Sequence, residues 1–340
     1  MSNHYKVLLT GASGTVGYEI AKQLIACPNL ELTVFDLENN KSKKRFRSFP
    51  KNTKIVFGDI SKKGSVADAV KGQEIVIHLA AIIPPLADEH PKLAYTINVE
   101  GTKNIIEAME QYAPEAMLFY SSSISVYGDR INNPNIKVGD PLQASMGDEY
   151  AKTKIECEQM IQKTQLNWTI FRLTAIMKDH KISKLMFHMP LETTIEICTP
   201  EDTARAFING IFKKEHLNKK IFNLGGGKEC TTSYEDFLKR SFKIYGLGAL
   251  DFATNSFATQ NFHCGYYEDG DKLQNLLHFR EDTLDDHFER SEASVHPLTK
   301  KLASWFKKPI KKIIEKQSEP LRAFKKQETK LMERFFGFTK

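Results

Sequence analysis

The segment Gly11-Ala-Ser-Gly14-Thr-Val-Gly17 constrains the fold of this chain more than any other feature. It follows the apolar run Tyr5–Thr10 directly and opens a helical pattern over Thr15–Ala26. Glycines at this spacing allow a tight turn, a close approach of the backbone to a phosphate and close packing of helix on strand. Because the helix N-terminus also offers free N–H groups, the segment predicts a dinucleotide site.

Short apolar strands alternate with helical patterns through the first half of the chain. Helical patterns cover residues 92–112 and 149–162. The strand-like runs that follow Tyr5–Thr10 lie at residues 32–36, 54–57, 75–79, 117–121 and 168–172. This alternation predicts right-handed βαβ units in an α/β fold, a doubly wound parallel sheet of the Rossmann type.

Three regions are predicted along the chain. Residues 1–172 form the Rossmann domain, and residues 173–295 form a small substrate lobe with interleaved Rossmann elements, including a helix over Pro200–Phe212 and a strand over Lys220–Leu224. Residues 296–340 form a basic amphipathic helical tail. The tail has 13 Lys and Arg against 4 Asp and Glu, so it accounts for the net charge of +6 on the whole chain.

The tail predicts contact with a membrane surface. Its apolar and aromatic residues between Leu298 and Phe336 recur at helical spacing with lysines opposite, which suits an anionic bilayer surface. The alternative is that residues 297–336 pack on the rest of the chain or on the second copy of a homodimer. The helical continuity of the aromatic stripe disfavours nucleic acid as the partner.

The cysteines indicate a reducing compartment. There are five, an odd number, and they show no metal-ligand spacing, so we expect free thiols in a cytoplasmic protein without a metal site. The longest apolar stretch, residues 75–83, is interrupted by His78 and falls far short of the ~20 residues that a membrane-spanning helix needs. No leader pattern is visible, so the predicted location is cytoplasmic, with the tail at a membrane surface.

Two acidic residues at strand ends indicate the cofactor. Asp36 ends the second strand, 19 residues after Gly17, where a carboxylate accepts hydrogen bonds from the ribose hydroxyls of NAD and repels the extra phosphate of NADP. Asp59 follows the third strand and is expected beside the adenine. His78, within an apolar strand, is interpreted as a packed core histidine.

Tyr150 and Lys154 supply the predicted chemistry. A spacing of four residues places them on one face of a helix. A nearby ammonium and the positive nicotinamide ring favour the phenolate, so we expect the pKa of Tyr150 to fall. Serines at residues 121–123 end the fifth strand, where a hydroxyl can polarise the reacting oxygen.

Together these residues resemble the extended short-chain dehydrogenase/reductase family, the group of NAD-dependent epimerases and dehydratases. The resemblance covers roughly residues 5–290 and is carried by the glycine segment and by the motifs at residues 98–102, 121–128 and 150–154.

The resemblance implies specific roles for these residues. Tyr150 is the general acid/base, Lys154 its electrostatic partner, and Ser123 the hydroxyl that binds the substrate. Asn98 supports the active-site helix and the cofactor, and Ser125 lies near the substrate. Further residues that line the cofactor by this resemblance are Thr15, Val16, Asp59, Ile60, Leu79, Ala80 and Ala81.

Two departures from the family bear on the substrate. The stretch Ser123-Ile124-Ser125 has no carboxylate, which argues against elimination of water. Only 29 residues separate Arg172 from Asp202. They include no arginine at the place where sugar-nucleotide epimerases bind a diphosphate, and the cations there are Lys178, His180, Lys181 and Lys184.

The first functional hypothesis is an NAD-dependent oxidoreductase that transfers hydride at a secondary alcohol or ketone, with a substrate that is smaller or more apolar than a sugar nucleotide. The first alternative is a sugar-nucleotide epimerase similar to UDP-glucose 4-epimerase, which oxidises and reduces the same carbon and retains its NAD. The second alternative is a scaffold or sensor that binds NAD without catalysis. Net turnover of the cofactor distinguishes the first two hypotheses.

Overall fold

The computed structural model describes residues 4–178 and 182–337. The strands in this part of the chain are β1 (Tyr5–Thr10), β2 (Leu30–Asp36), β3 (Lys54–Phe57), β4 (Ile75–His78), β5 (Met117–Ser123), β6 (Asn135–Ile136), β7 (Asn167–Leu173), β8 (Ala175–Ile176), β9 (Thr194–Cys198), β10 (Lys220–Leu224), β11 (Thr231–Ser233) and β12 (Tyr266–Tyr267).

The helices fall into three groups along the chain. Those up to the middle are α1 (Thr15–Ala26), α2 (Asn40–Phe46), α3 (Lys63–Val70), α4 (Leu86–Glu89), α5 (Pro91–Ala94), α6 (Gly101–Tyr112) and α7 (Glu149–Gln162). The next are α8 (Leu185–His188), α9 (Pro200–Phe212), α10 (Lys214–Leu217), α11 (Tyr234–Ile244), α12 (Asp271–Leu277) and α13 (Leu284–Ser294). The tail contains α14 (Pro297–Trp305), α15 (Lys307–Glu315), α16 (Glu319–Lys326) and α17 (Thr329–Phe336).

Seven parallel strands form the central sheet, in the order β10-β7-β5-β4-β1-β2-β3. The chain proceeds from β1 to β2 and β3 on one side, and then returns to β4 and its neighbours on the other. The strand order therefore reverses between β1 and β4, the position at which ligands bind in open α/β sheets. The predicted doubly wound α/β fold is confirmed.

Alternate side chains of the strands pack on opposite faces of the sheet, as expected for buried parallel strands. Val7 and Leu9 of β1 join a cluster with α1 and α9, whereas Leu8 joins a second cluster with α3, α6 and α7. All three side chains are fully buried. The two clusters fix the sheet between two helical layers and hold the strand ends in place.

A smaller lobe covers the carboxyl end of the sheet. It contains the three-stranded sheet β11-β9-β8 and the pair β12-β6. Its apolar cluster includes Met186, Ile195, Tyr234 and Phe237. Since β10 of the central sheet lies between β9 and β11 in the chain, the two lobes are interleaved.

The helical pattern predicted over residues 92–112 is interrupted in the structure. A π-helical turn at Tyr95–Glu100 separates α5 from α6. The turn contains the buried Asn98, and π-turns of this kind commonly mark functional sites. Periodicity alone did not reveal it because the apolar spacing hardly changes across one wide turn.

The tail is helical as predicted, but its apolar residues do not form one continuous face. In α16 and α17, Leu321, Met332 and Phe335 are buried against the body of the protein. In α14 and α15, by contrast, Trp305 and Ile313 are exposed. The expectation of one amphipathic face over residues 297–336 is therefore wrong, because α16 and α17 pack on the smaller lobe, where Phe335 contacts His188 of α8.

Candidate active site

The turn between β1 and α1 requires glycine for steric reasons. Gly11 has a φ of 77°, and a Cβ there would lie 2.8 Å from the backbone nitrogen of Ala80. A Cβ on Gly17 would lie 2.3 Å from the carbonyl oxygen of Gly11. Gly14 precedes α1 and makes no side-chain cap, so the first N–H groups of the helix are left for an anion at the cavity.

Asp36 lies beside this turn. Its carboxylate accepts hydrogen bonds from the backbone nitrogen of Ser13 at 2.7 Å and from the Ser13 hydroxyl at 3.1 Å. Lys41 also lines the cavity here, and Arg45 donates to the carbonyl oxygen of Gly14 at 2.9 Å. The helix α2 therefore supplies two cations near the turn.

His78, at the end of β4, is buried and hydrogen-bonds to two threonines, as expected for a core histidine. Its Nδ1 lies 2.7 Å from the Thr10 hydroxyl and its Nε2 lies 3.0 Å from the Thr102 hydroxyl. Burial lowers the pKa of His78 to about 3, so the ring is neutral at pH 7. The Thr10 hydroxyl also accepts from the backbone nitrogen of Ala80 at 3.2 Å, which fixes the strand end at the cavity.

Ser123, Tyr150 and Lys154 lie together in the same cavity. β5 ends at Ser123, whose hydroxyl hydrogen-bonds to the Tyr150 phenol. Lys154, one turn further along α7, is buried and lies with its ammonium 5.6 Å from the centre of the Tyr150 ring and 4.6 Å from that of Tyr120. The ammonium donates to the carbonyl oxygen of Ser121 at 2.7 Å.

The pKa values differ from the expectation for Tyr150. Burial, followed by the charge of Asp148, raises the pKa of the phenol well above its ordinary value, whereas the hydrogen bond to Ser123 lowers it. Burial also lowers the pKa of Lys154 to about 8. The protein groups alone therefore favour a protonated phenol, and the predicted fall depends on the charge that a nicotinamide would add.

Asn98 supports the site from behind the cavity wall. Its side-chain amide donates to the carbonyl oxygen of Ile82 and to the Thr153 hydroxyl, both at 3.0 Å. Its oxygen accepts from the backbone nitrogen of Ile82 at 2.8 Å. Asn98 thus ties the loop after β4 to α7, but it does not line the cavity. Its predicted contact with the cofactor stays a prediction.

Ser125 is not brought to the cavity either. It lies in the 3-10 turn at Ile124–Tyr127, is fully buried, and its hydroxyl has no hydrogen-bond partner among the described residues. The turn directs this side chain into the core, so the prediction that it lies near the substrate is not supported. The other predicted site residues line one cavity: Gly11, Gly14, Thr15, Val16, Gly17, Asp36, Asp59, Ile60, Leu79, Ala80, Ala81, Ser123, Tyr150 and Lys154.

A buried ion pair near the site was missed from the sequence. Glu158 follows Lys154 by one turn of α7 and accepts from Arg172 of β7, with Nη2 and Oε2 2.7 Å apart. Glu158 also accepts a hydrogen bond from the Ser122 hydroxyl. The spacing 150, 154, 158 was a signal for Glu158, but its partner on β7 depends on the tertiary fold.

The N-terminus of α7 is held by acidic side chains. Asp148 caps the helix by accepting from Ala151, and Asp88 accepts from the backbone nitrogen of Tyr150 at 3.3 Å. His263 of the smaller lobe lies with its Nδ1 3.0 Å from the Asp148 carboxylate. Burial and the charge of Asp148 raise the pKa of Asp88.

The cavity has a volume of about 1050 Å³ and two chemically distinct ends. The end at the glycine turn is lined by backbone groups and Asp36. The other end, beyond Tyr150, is lined mainly by apolar side chains, together with Glu196 and His263; the apolar ones include Ile82, Leu93, Met177, Met186, Met189 and Phe262. Of the cations noted after Arg172, His180 and Lys181 lie outside the described residues, and Lys184 pairs with Glu89 at 2.7 Å.

Within residues 4–178 and 182–337, no cluster of three or more His, Cys, Asp and Glu side chains has the arrangement of a metal site. In the same ranges, no helix has both the length and the apolar character needed to cross a bilayer.

The fold and this cavity define the class of protein. Over its N-terminal half the chain is similar in sequence to the extended short-chain dehydrogenases/reductases, and over most of its length it shares their fold. Within this class, residues 8–172 match the 3-beta hydroxysteroid dehydrogenase/isomerase family.

Relatives of known activity align with the same half of the chain. A 3 beta-hydroxysteroid dehydrogenase type 7 from Mus musculus is 31% identical over 159 residues, which are 45% of this chain and 43% of that protein. An N-acetyl-alpha-D-glucosaminyl-diphospho-ditrans,octacis-undecaprenol 4-epimerase from Escherichia coli is 32% identical over 178 residues, 50% of this chain and 48% of that protein. The chain thus spans less than half the length of these curated relatives.

Solved structures share the fold over most of the chain. UDP-glucuronic acid 4-epimerase from Bacillus cereus, in complex with UDP-glucuronic acid and NAD, superposes with a TM-score of 0.72 at 18% identity, over 87% of this chain and 99% of that one. A short-chain dehydrogenase/reductase superfamily protein from Agrobacterium tumefaciens with bound NAD gives a TM-score of 0.65, also at 18% identity, over 88% and 99%.

Proposed function

We propose that this protein is an NAD-dependent oxidoreductase that transfers hydride at a secondary alcohol or ketone. The observation that carries the proposal is one cavity that joins a dinucleotide turn to Ser123, Tyr150 and Lys154. Residues 1–172 would bind the cofactor, and residues 173–295 would supply most of the substrate end.

NAD fits the polar end of the cavity. The free N-terminus of α1 suits the pyrophosphate, and Gly11 removes the Cβ that would fill the turn. Asp36 retains lone pairs for the ribose hydroxyls and would repel a 2′-phosphate. When bound there, NAD supplies the acceptor or donor of hydride.

The side chains of this protein would transfer the proton that accompanies the hydride. Tyr150 holds a proton on its phenol oxygen and passes it to, or takes it from, the substrate oxygen as the carbon is reduced or oxidised. Ser123, which hydrogen-bonds to the phenol, orients that oxygen. Lys154 keeps a positive charge beside the ring and favours the phenolate form. Asn98 acts as a positioning residue through Thr153 of α7.

The apolar end of the cavity favours a lipophilic substrate. Methionine, isoleucine and phenylalanine side chains dominate it, and the described residues that line it beyond Lys154 include no lysine or arginine for a nucleoside diphosphate. Two relatives support this interpretation, because a hydroxysteroid and an undecaprenol-linked sugar both carry a large apolar portion.

An epimerase that retains NAD is the second candidate. It is favoured by the Escherichia coli and Bacillus cereus relatives, whose names describe 4-epimerases. Release of the bound nucleotide, followed by mass spectrometry, tests the difference. Tightly held NAD with no net formation of NADH supports the epimerase. Weak, reversible NAD binding together with accumulation of NADH supports the dehydrogenase.

The decisive variant for catalysis is Tyr150→Phe. Removal of the phenol oxygen should lower turnover by about 10²-fold or more while NAD affinity changes little. Tyr95→Phe is a suitable control, because this exposed phenol binds Glu156 away from the cavity and should leave turnover unchanged. If Tyr150→Phe retains full biological activity, the protein is a scaffold or sensor that binds NAD without catalysis.

We further place the protein in the cytoplasm, with its tail in peripheral contact with a membrane. The support is the basic, aromatic composition of the tail together with the exposed apolar side chains of α14. Packing of the same surface in a homodimer is the competing arrangement, and sedimentation velocity at several protein concentrations separates the two.

A further inference from the structure

One surface of the molecule combines large exposed apolar side chains with unpaired lysines. Leu298, Leu302 and Trp305 are spaced at positions i, i+4 and i+7 of α14, so they share one face of that helix. They are exposed to 65%, 52% and 67%, and Phe306 and Ile313 beside them to 56% and 62%. We call these five residues together with Lys301, Lys307, Lys308 and Lys312 the α14–α15 surface.

The opposite side of the same two helices is already packed. Ala303 and Ile310 contact the apolar cluster of the smaller lobe, and Ile314 is buried in it. Lys311 pairs with Asp251 on this side. The helices are therefore anchored to the protein, and the exposed residues cannot be buried by a simple rotation of α14 or α15.

The charge of the surface is of one sign. Residues 297–314 contain six lysines and no acidic residue. Lys300 and Lys311 pair with carboxylates, whereas no ion pair is found among the described residues for Lys301, Lys307, Lys308 or Lys312. Lys301 lies 5.2 Å from the centre of the Trp305 ring. The apolar face is thus bordered by free positive charge.

From these observations we infer that the α14–α15 surface docks on an anionic lipid bilayer. This deepens the membrane contact within the proposed function, but it does not depend on which reaction the cavity catalyses. Trp and Phe side chains favour the boundary between headgroups and acyl chains, and lysines at the rim attract anionic headgroups. A second copy of the chain is a poorer occupant, since a symmetric interface would place like-charged lysines opposite one another.

The docking surface is joined to the substrate end of the cavity through one apolar cluster. Ile314 belongs to the same cluster as Met186, Met189 and Ile195, which line the cavity. A bilayer on the α14–α15 surface would therefore lie on the smaller lobe, next to the cluster that lines the substrate end. This orientation suits a lipophilic substrate drawn from the bilayer.

The chain provides a matched control for a test. The tripeptide Phe-Lys-Lys occurs at residues 306–308 in the surface and at residues 212–214 at the end of α9. Both phenylalanines are exposed, at 56% and 45%. The test variant is Phe306→Ser with Lys307→Glu, and the control is Phe212→Ser with Lys213→Glu, so composition and charge change equally in the two proteins.

The full chain and both variants are sedimented with vesicles of phosphatidylcholine, with and without phosphatidylserine. We expect the wild type and the control to bind only the vesicles that contain phosphatidylserine, and more weakly as salt is raised. The affinity of the test variant for these vesicles should fall by at least about tenfold, since each lysine near an anionic surface is worth about a fivefold change in affinity. Trp305 should shift its fluorescence to the blue on binding, because Trp168 is already buried.

Three results would overturn the inference. The first is equal binding of the wild type to both kinds of vesicle, and the second is an equal loss of vesicle binding in the two variants. The third is self-association of the wild type that the test variant abolishes, while neither protein binds vesicles. Thermal unfolding verifies that both variants fold. Turnover is measured separately without vesicles. Vesicle binding without turnover therefore contradicts only the proposed reaction, and turnover without vesicle binding contradicts only the docking surface.

Discussion

Lys154 donates a 2.7 Å hydrogen bond to the carbonyl oxygen of Ser121, two residues before the hydroxyl of Ser123 in β5. The helix α7 is therefore fastened to the strand β5 by a buried ammonium. This cation is costly to bury, and its pKa falls from 10.5 to about 8.

Lys154→Met should separate activity from stability. Turnover should fall by about 10²-fold or more, because the charge that favours the phenolate is lost. At pH 7 the variant should be more stable than the wild type, by on the order of 1–3 kcal/mol, since a buried charge has been removed. Urea unfolding and steady-state kinetics on the same preparations measure both effects.

The stability gain of Lys154→Met should depend on pH in a defined window. The folded pKa lies below the unfolded one, so the wild type carries the full penalty below about pH 8 and loses it as the pH rises toward 10.5. The gain should therefore shrink between these values. A gain that stays constant over that range would show that the burial of the ammonium is not its cause.

Glu158→Gln should destabilise the protein strongly, by about 3–5 kcal/mol, because it leaves Arg172 charged and unpaired in the core. Glu149→Gln is the control on the same helix. Its partner Lys152 is exposed, so we expect the free energy of unfolding to fall by less than about 1 kcal/mol. Chemical denaturation measures the free energy of unfolding of both variants, and equal losses would contradict the assignment of Glu158 to a buried pair.

Asp36→Asn should change the choice of cofactor. NAD affinity should fall about ten- to hundredfold with the loss of charged hydrogen bonds to the ribose, and NADP affinity should rise as the repulsion disappears. Ser13→Ala removes only a hydroxyl that holds the carboxylate, so the preference for NAD should persist. Calorimetric titration with both dinucleotides tests this, and an unchanged preference in Asp36→Asn would exclude the proposed role.

Glu319→Gln should loosen the second half of the tail. The Glu319 carboxylate lies 2.8 Å from Nε2 of His188 in α8, and this contact lowers the pKa of the carboxyl to about 2. The stabilisation is therefore present above about pH 4.5 and is lost as the pH falls toward 2.

Amide hydrogen exchange at pH 7 should become faster in α16 and α17 of Glu319→Gln and stay unchanged in the central sheet. Glu328→Gln, which affects only an exposed contact at 3.9 Å with Arg322, should leave exchange nearly unchanged. If exchange in α16 and α17 is the same in Glu319→Gln as in the wild type, the His188 contact does not hold the tail.

The regular elements of the Rossmann sheet were predictable because their patterns are local. The bounds of α1, α7 and α9 agree with the predicted ones, since apolar periodicity and capping residues act within a few positions. The pairing of Tyr150 with Lys154 follows from helical spacing in the same way.

Other features depend on which elements meet in space. Glu158 lies on the predicted face of α7, but only the position of β7 brings Arg172 to it. In the tail, periodicity identified the apolar residues of α14 and α15 correctly. It could not show that Ile314 would be buried while Trp305 stays exposed, because that depends on where the smaller lobe lies.

The packing of α9 on α1 has a consequence for the order in which the molecule forms. The start of α9 lies 185 residues after the start of α1, yet Gln23 donates to the carbonyl oxygen of Glu201 and the apolar faces of the two helices share one cluster. β10 likewise pairs with β7 only after some fifty intervening residues have been made. A nascent chain that has been synthesised only to residue 172 therefore leaves one side of its sheet uncovered and one edge unpaired. Such an intermediate is prone to aggregation until α9 and β10 emerge from the ribosome.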